Sequence, residues 1–222
     1  SRAGRPFQGW ARKIWLSKVD GPMIMAIDWL AEFQKLTTVS HMDVSKEGPD
    51  WIRQRLQEVE DNGFSVANLE EYTSEAMKTL KSLDSVTLPL CMQHGDFDVC
   101  NLYMTVDGLV VFDFEHSQEK EFPLFDLANL IFSPLFQEWR HNHYGLGLAE
   151  YCKVSGWSKY LRRWVNRYSE RSGIPIAVLR LLPIFGVLEQ NAKHFPVTRD
   201  PYDYPMYGED ALKEMVSWSL DL

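Results

Sequence analysis

An α+β fold in which helices dominate is what this sequence predicts, and three observations predict it. Apolar residues recur at helical spacing along most of the chain. One two-residue turn signal, Asp107-Gly108, sits between short runs rich in β-branched and aromatic side chains. The repeated strand-helix-strand units that a doubly wound sheet requires are not visible. With 222 residues, 45% of them hydrophobic, the chain has material for one large core, so residues 1–222 read as a single domain.

Taken in order, stretches 9–18 and 22–36 are predicted helices, with Ile24, Ile27, Leu30 and Ala31 on one face. Residues 41–49 are polar and read as a loop, followed by a helix over 50–59 capped by Asp50. A further helix covers 68–83, its apolar face carrying Leu69, Tyr72, Ala76 and Leu80. A short strand over 86–92 delivers the chain to His94. Residues 102–106 and 109–112 form a hairpin about Asp107-Gly108. Helices over 126–136, 146–154, 159–172 and 176–193 follow, and an amphipathic stretch over 210–219 closes the chain. Trp10, Trp15, Trp29, Trp157 and Trp164 sit at helical positions and read as core.

Composition narrows the function classes. A net charge of -8 argues against nucleic acid as a main partner. It suits a cationic ligand, and ordinary solubility equally well. No apolar run reaches membrane length, because 127–132 is broken by Asn129 and 179–188 carries Arg180 and Pro183. Three cysteines, Cys91, Cys100 and Cys152, have no C-x-x-C spacing. They read as small apolar residues of a protein in a reducing cytoplasm. No signal peptide is visible.

The chemistry concentrates in 94–115: His94-Gly95-Asp96, then Asn101, then Asp113-Phe114-Glu115. Phosphoryl transfer needs a carboxylate to orient the acceptor hydroxyl and hard oxygen ligands to hold magnesium on the phosphates. Asp96 suits the first task, and Asn101 and Asp113 the second. The hairpin explains the spacing, since it returns Asp113 to the side of Asn101. His94 is either part of the catalytic group or a brace for its loop. Taken alone, His-Gly-Asp is an ordinary strand-capping turn. A metal-dependent hydrolase could use the same carboxylates, but His116, His141 and His143 do not sit at ligand spacing.

These residues, with Pro123-Leu124-Phe125-Asp126-Leu127-Ala128-Asn129-Leu130, resemble the aminoglycoside phosphotransferase and choline kinase superfamily, small-molecule kinases with a protein-kinase-like fold. The resemblance implies Asp96 as catalytic base with His94 beside it, and Asn101 and Asp113 as ligands of magnesium and ATP. It implies Glu115 as a further acidic group near the metal, and Asp126 as a buried anchor of the catalytic loop. Arg5-Pro6-Phe7 is similar to the stretch just beyond the family's interlobe hinge, which makes 1–20 a post-hinge segment, 93–131 the catalytic core and 132–222 a helical acceptor-side subdomain.

Two departures from the family matter. Asp98 and Cys100 stand inside the catalytic loop, and the extra carboxylate of Asp98 is expected to repel phosphate or to meet a cationic acceptor. Nothing before Asp96 supplies a glycine-rich phosphate loop or a strand lysine. The sequence thus predicts a kinase C-terminal lobe with its nucleotide lobe missing. Trp139 and the aromatic, acidic stretch 195–208, with Tyr202 and Asp203, are weaker acceptor-binding candidates. Small-molecule hydroxyl phosphorylation is therefore the first expectation. The alternative is a kinase-like interaction domain without catalysis.

Overall fold

Pairing across the chain builds two three-stranded sheets that sit among the helices. The structure is a computed structural model that describes residues 5–6, 16–62, 69–142 and 148–193. One sheet has the order β1 (Arg5–Pro6), β4 (Leu102–Thr105), β5 (Gly108–Val111). The other has the order β2 (Ser40–Asp43), β3 (Thr87–Gln93), β6 (Gln118–Glu121). Among the described residues the helices are α1 (Leu16–Leu36), α2 (Val44–Asp61), α3 (Leu69–Lys81), α4 (Phe125–Asn142), α5 (Leu148–Ser155), α6 (Trp157–Ser172), α7 (Ile176–Leu179) and α8 (Leu182–Lys193). The α+β class with helices in the majority is observed.

Several elements differ from the sequence expectation, each for a local reason. The first helix runs unbroken from Leu16 through Pro22. The loop over 41–49 does not form: residues 40–43 pair with β3, Ser40 against Leu90 and Asp43 against Thr87. The helix then starts at Val44, because Asp43 rather than Asp50 caps it, accepting from Ser45 N and Lys46 N. Gly48-Pro49, at the end of the expected loop, lies inside α2. Gly48 is small for packing: a Cβ there would stand 3.0 Å from Leu80 Cδ1 on α3.

The hairpin turn is displaced by one residue. Thr105 pairs with Gly108, which makes Val106-Asp107 the turn and Gly108, at φ +126°, the first residue of β5. The helix over 176–193 is divided, with α7 ending at Leu179 and α8 starting at Leu182; Pro183 stands in the first turn of α8, where a missing N–H costs nothing. Strand β6 has no counterpart in the sequence expectation. It pairs Cys91 with Glu121 and Gln93 with Gln118, and the extra residue on its side makes a bulge with Lys120 at φ +62°. The stretch over 210–219, with Trp10 and Trp15, lies outside the described residues.

The core runs through both sheets and the helices around them. Met23, Ile27 and Leu30 of α1 are fully buried, as are Trp164 and Tyr168 of α6. Trp29, expected as core, is only partly buried and packs against it. Helices α1 and α6 are also tied by charge. Asp20 accepts from Arg163 Nη1 at 2.5 Å and from Trp164 Nε1 at 2.9 Å, and Asp28 takes Arg167 through two 2.7 Å hydrogen bonds.

Candidate active site

Two chain segments cross between the sheets side by side. Residues 94–101 leave β3 and enter β4; residues 112–117 leave β5 and return to β6. Phe112 N–H donates to Asn101 O at 3.0 Å, so Asp113 follows directly on a bond to the predicted amide ligand. Gly95, at φ +84°, passes so close to the second crossing that a Cβ would stand 2.1 Å from His116 O. Only glycine satisfies both the left-handed backbone and that approach.

His94 joins the two crossings. It is fully buried, and Asp96 N–H donates to its Nδ1 at 3.3 Å. That assignment places the proton on Nε2, which donates to Phe112 O at 2.7 Å. Burial holds the ring's pKa below its ordinary value, so the neutral form that makes both bonds is the favoured one. Both ring nitrogens are committed to backbone.

Asp96 is half-buried. Its Oδ2 accepts from Asn101 Nδ2 at 2.8 Å, and its backbone O accepts from the same nitrogen at 2.9 Å. These bonds aim the carboxylate and leave Asp96 Oδ1 and Asn101 Oδ1 as acceptors with no partner among the described residues. Asn101 ends a single 3-10 turn, Val99–Asn101, whose cap is Asp98. Asp98 is 8% exposed and accepts from Cys100 N at 2.9 Å, so the carboxylate expected to meet a cationic acceptor caps the turn that carries Asn101.

Asp113 is exposed and adopts φ +65°, a left-handed conformation that aspartate tolerates better than most residues. It makes no hydrogen bond or ion pair among the described residues. Glu115 is also exposed, and its Oε1 lies 3.5 Å from His116 Nε2.

Asp126 fixes the first crossing from below. It is fully buried in the first turn of α4; its Oδ2 accepts from His94 N at 2.6 Å and its Oδ1 from Gly95 N at 2.9 Å. Its own N–H donates to Gln93 Oε1 at 3.3 Å. A buried relay continues behind it. Gln34 Nε2 donates to Pro123 O at 2.8 Å and reaches Gln93 Oε1 at 3.4 Å, while Tyr168 OH donates to Gln34 Oε1. Gln34, Gln93 and Tyr168 are not among the residues that the sequence singles out. Their only sequence signal is Gln93's place just before His94-Gly95-Asp96, and the others lie far away along the chain.

Aromatic rings support both crossings from α1. Trp29 stacks on Phe33 at 5.0 Å and on Phe97 at 5.4 Å. Phe114 stands 4.4 Å from the His94 ring and 6.0 Å from Phe33. Glu138, next to Trp139, accepts from Tyr151 OH at 3.0 Å and Trp157 Nε1 at 3.1 Å, which ties α4 to α5 and α6. The Trp139 side chain, Tyr202 and Asp203 lie outside the described residues.

Among the described residues, no group of three or more histidine, cysteine, aspartate or glutamate side chains is placed to hold a metal. Asp113 has a carboxylate, and Asn101 an amide oxygen, with no partner among the described residues. Magnesium uses one or two protein oxygens and fills its octahedron with water and phosphate oxygens, so a carboxylate and an amide oxygen are residue types that suit it. No protein-family model matches the chain, and no curated protein matches it.

Proposed function

We propose that the chain is the catalytic lobe of an ATP- and magnesium-dependent phosphotransferase that acts on a hydroxyl of a small molecule. One observation carries this reading: Asp96 and Asn101 are bonded at 2.8 Å on a loop that Asp126 holds by its backbone, and Asp113 stands one residue beyond the Asn101–Phe112 hydrogen bond. Asp96 Oδ1 accepts the hydrogen bond of the acceptor hydroxyl and orients it, while Asn101 Nδ2 holds the carboxylate in position. Asn101 Oδ1 and Asp113 hold magnesium, which when bound neutralises charge on the phosphates. The motif resemblance of residues 93–131 supports the same assignment. Aminoglycosides, choline-like amines and sugars are the acceptor classes it implies.

The test is ADP formation from magnesium-ATP over a panel of such acceptors. Asp96→Asn is expected to lower turnover by about 10²–10⁴-fold while nucleotide affinity stays nearly unchanged. Equal loss of binding and turnover contradicts the role given to Asp96. Phosphate release without any acceptor indicates a hydrolase instead, and nucleotide-independent behaviour throughout indicates an interaction domain.

A further inference from the structure

Gln34 meets three elements at once. It is 2% exposed near the end of α1, and its Nε2 donates to Pro123 O at 2.8 Å and to Gln93 Oε1 at 3.4 Å. Its Oε1 accepts from Tyr168 OH of α6. The neighbours fix this orientation of the amide. Pro123 O is a carbonyl and can only accept, so the nitrogen faces it and the oxygen is left for the hydroxyl. An amide at a buried helix position is costly unless its polar atoms are paired, and an apolar side chain of similar size packs there without that cost. Packing alone therefore gives no reason for an amide at this position.

What the amide holds is the setting of Asp126. Pro123 lies just before α4, whose first turn carries Asp126, and Gln93 ends β3 directly before His94. Asp126 N–H donates to the same Gln93 Oε1 at 3.3 Å. The Asp126 carboxylate accepts from His94 N at 2.6 Å and from Gly95 N at 2.9 Å. Gln34 thus grips both sides of that contact, the approach to α4 and the end of β3, while Tyr168 fixes its oxygen end. Asp96 follows Gly95 directly, and its N–H donates to His94 Nδ1 at 3.3 Å. A shift of α4 against β3 therefore reaches Asp96 through its two preceding residues.

We propose that Gln34 is a positioning residue: through Gln93 and Asp126 it sets where the loop presents Asp96. It touches neither acceptor nor nucleotide. Its loss acts on turnover more than on nucleotide binding, because orientation of the reacting groups is far more sensitive to small displacements than binding is, and Asp113 lies on the other crossing. The part in turnover rests on the phosphotransfer reading; the hold on the loop does not.

Amide hydrogen exchange followed by NMR tests the hold on the loop. Gln34→Met should speed exchange at His94 and Gly95 by at least about ten-fold more than at Ile27 of α1 and Val165 of α6. Tyr168→Phe removes only the hydroxyl and should act in the same direction, which serves if Gln34→Met prevents folding. Unchanged exchange at His94 and Gly95 overturns the proposal, and so does an equal rise at all four amides, the mark of a stability role alone. Turnover is the second readout, as ADP formation from magnesium-ATP with an aminoglycoside, choline and sugar panel. Gln34→Met should lower kcat by about ten-fold or more with KM for magnesium-ATP nearly unchanged, and a rise in KM at constant kcat overturns the catalytic part. Wild type inactive over the whole panel overturns the phosphotransfer reading instead, and the exchange result still decides whether Gln34 holds the loop.

Discussion

Gly95 and His94 show how much of the site depends on single residues. Gly95→Ala adds a Cβ at a left-handed position, 2.1 Å from a backbone oxygen that belongs to the other crossing. That oxygen cannot move without pulling the segment that carries Asp113. We expect Gly95→Ala to lower stability by about 2 kcal/mol or more in urea denaturation, and a change within about 0.5 kcal/mol contradicts the close packing. His94 has a pH signature. Its folded pKa lies below the ordinary value of 6.5, so the unfolded chain binds the proton more readily in that range. The stability His94 contributes is thus complete above about pH 6.5 and lost as the pH falls from there toward the folded pKa. Wild type should lose more stability than His94→Ala between pH 8 and pH 5.5; parallel losses contradict the neutral brace.

At the scale of elements, the first turn of α4 holds the loop that leaves β3. Asp126→Ala leaves two buried N–H groups unpaired and is expected to cost about 3–5 kcal/mol. Asp126→Asn keeps one acceptor oxygen and should cost less, and both are measurable by chemical denaturation. Equal, small losses contradict the anchoring role. The elements also show where the sequence is legible and where it is not. Long helices with strong periodicity, such as 159–172, are readable because one face is buried. The hairpin is readable because β-rich runs flank a turn, although Asp107-Gly108 misplaces that turn by one residue when the register is set by Thr105 and Gly108. Strand β6, Gln-Glu-Lys-Glu, has no apolar alternation, and only its partner β3 makes it a strand. The start of α2 is misread at Asp50 because 41–49 is polar, whereas pairing of residues 40–43 with β3 and the cap at Asp43 set the true start.

Across the whole molecule, the two sheets are joined by the segments that carry Asp96, Asn101 and Asp113. Asp96, Asn101 and Asp113 are legible in sequence because they cluster within one hairpin and its approach. The relay from Tyr168 through Gln34 and Gln93 to Asp126 is not, since buried glutamines acquire meaning only when distant segments meet. The most direct test of a phosphate-and-metal site is calorimetric titration with ATP, with and without magnesium, of wild type, Asp113→Asn and Asp96→Asn. Magnesium-dependent binding is predicted, which Asp113→Asn weakens by about ten-fold and Asp96→Asn leaves nearly intact. Binding indifferent to magnesium, or equally strong in Asp113→Asn and wild type, would contradict a phosphate-and-metal site at these crossings.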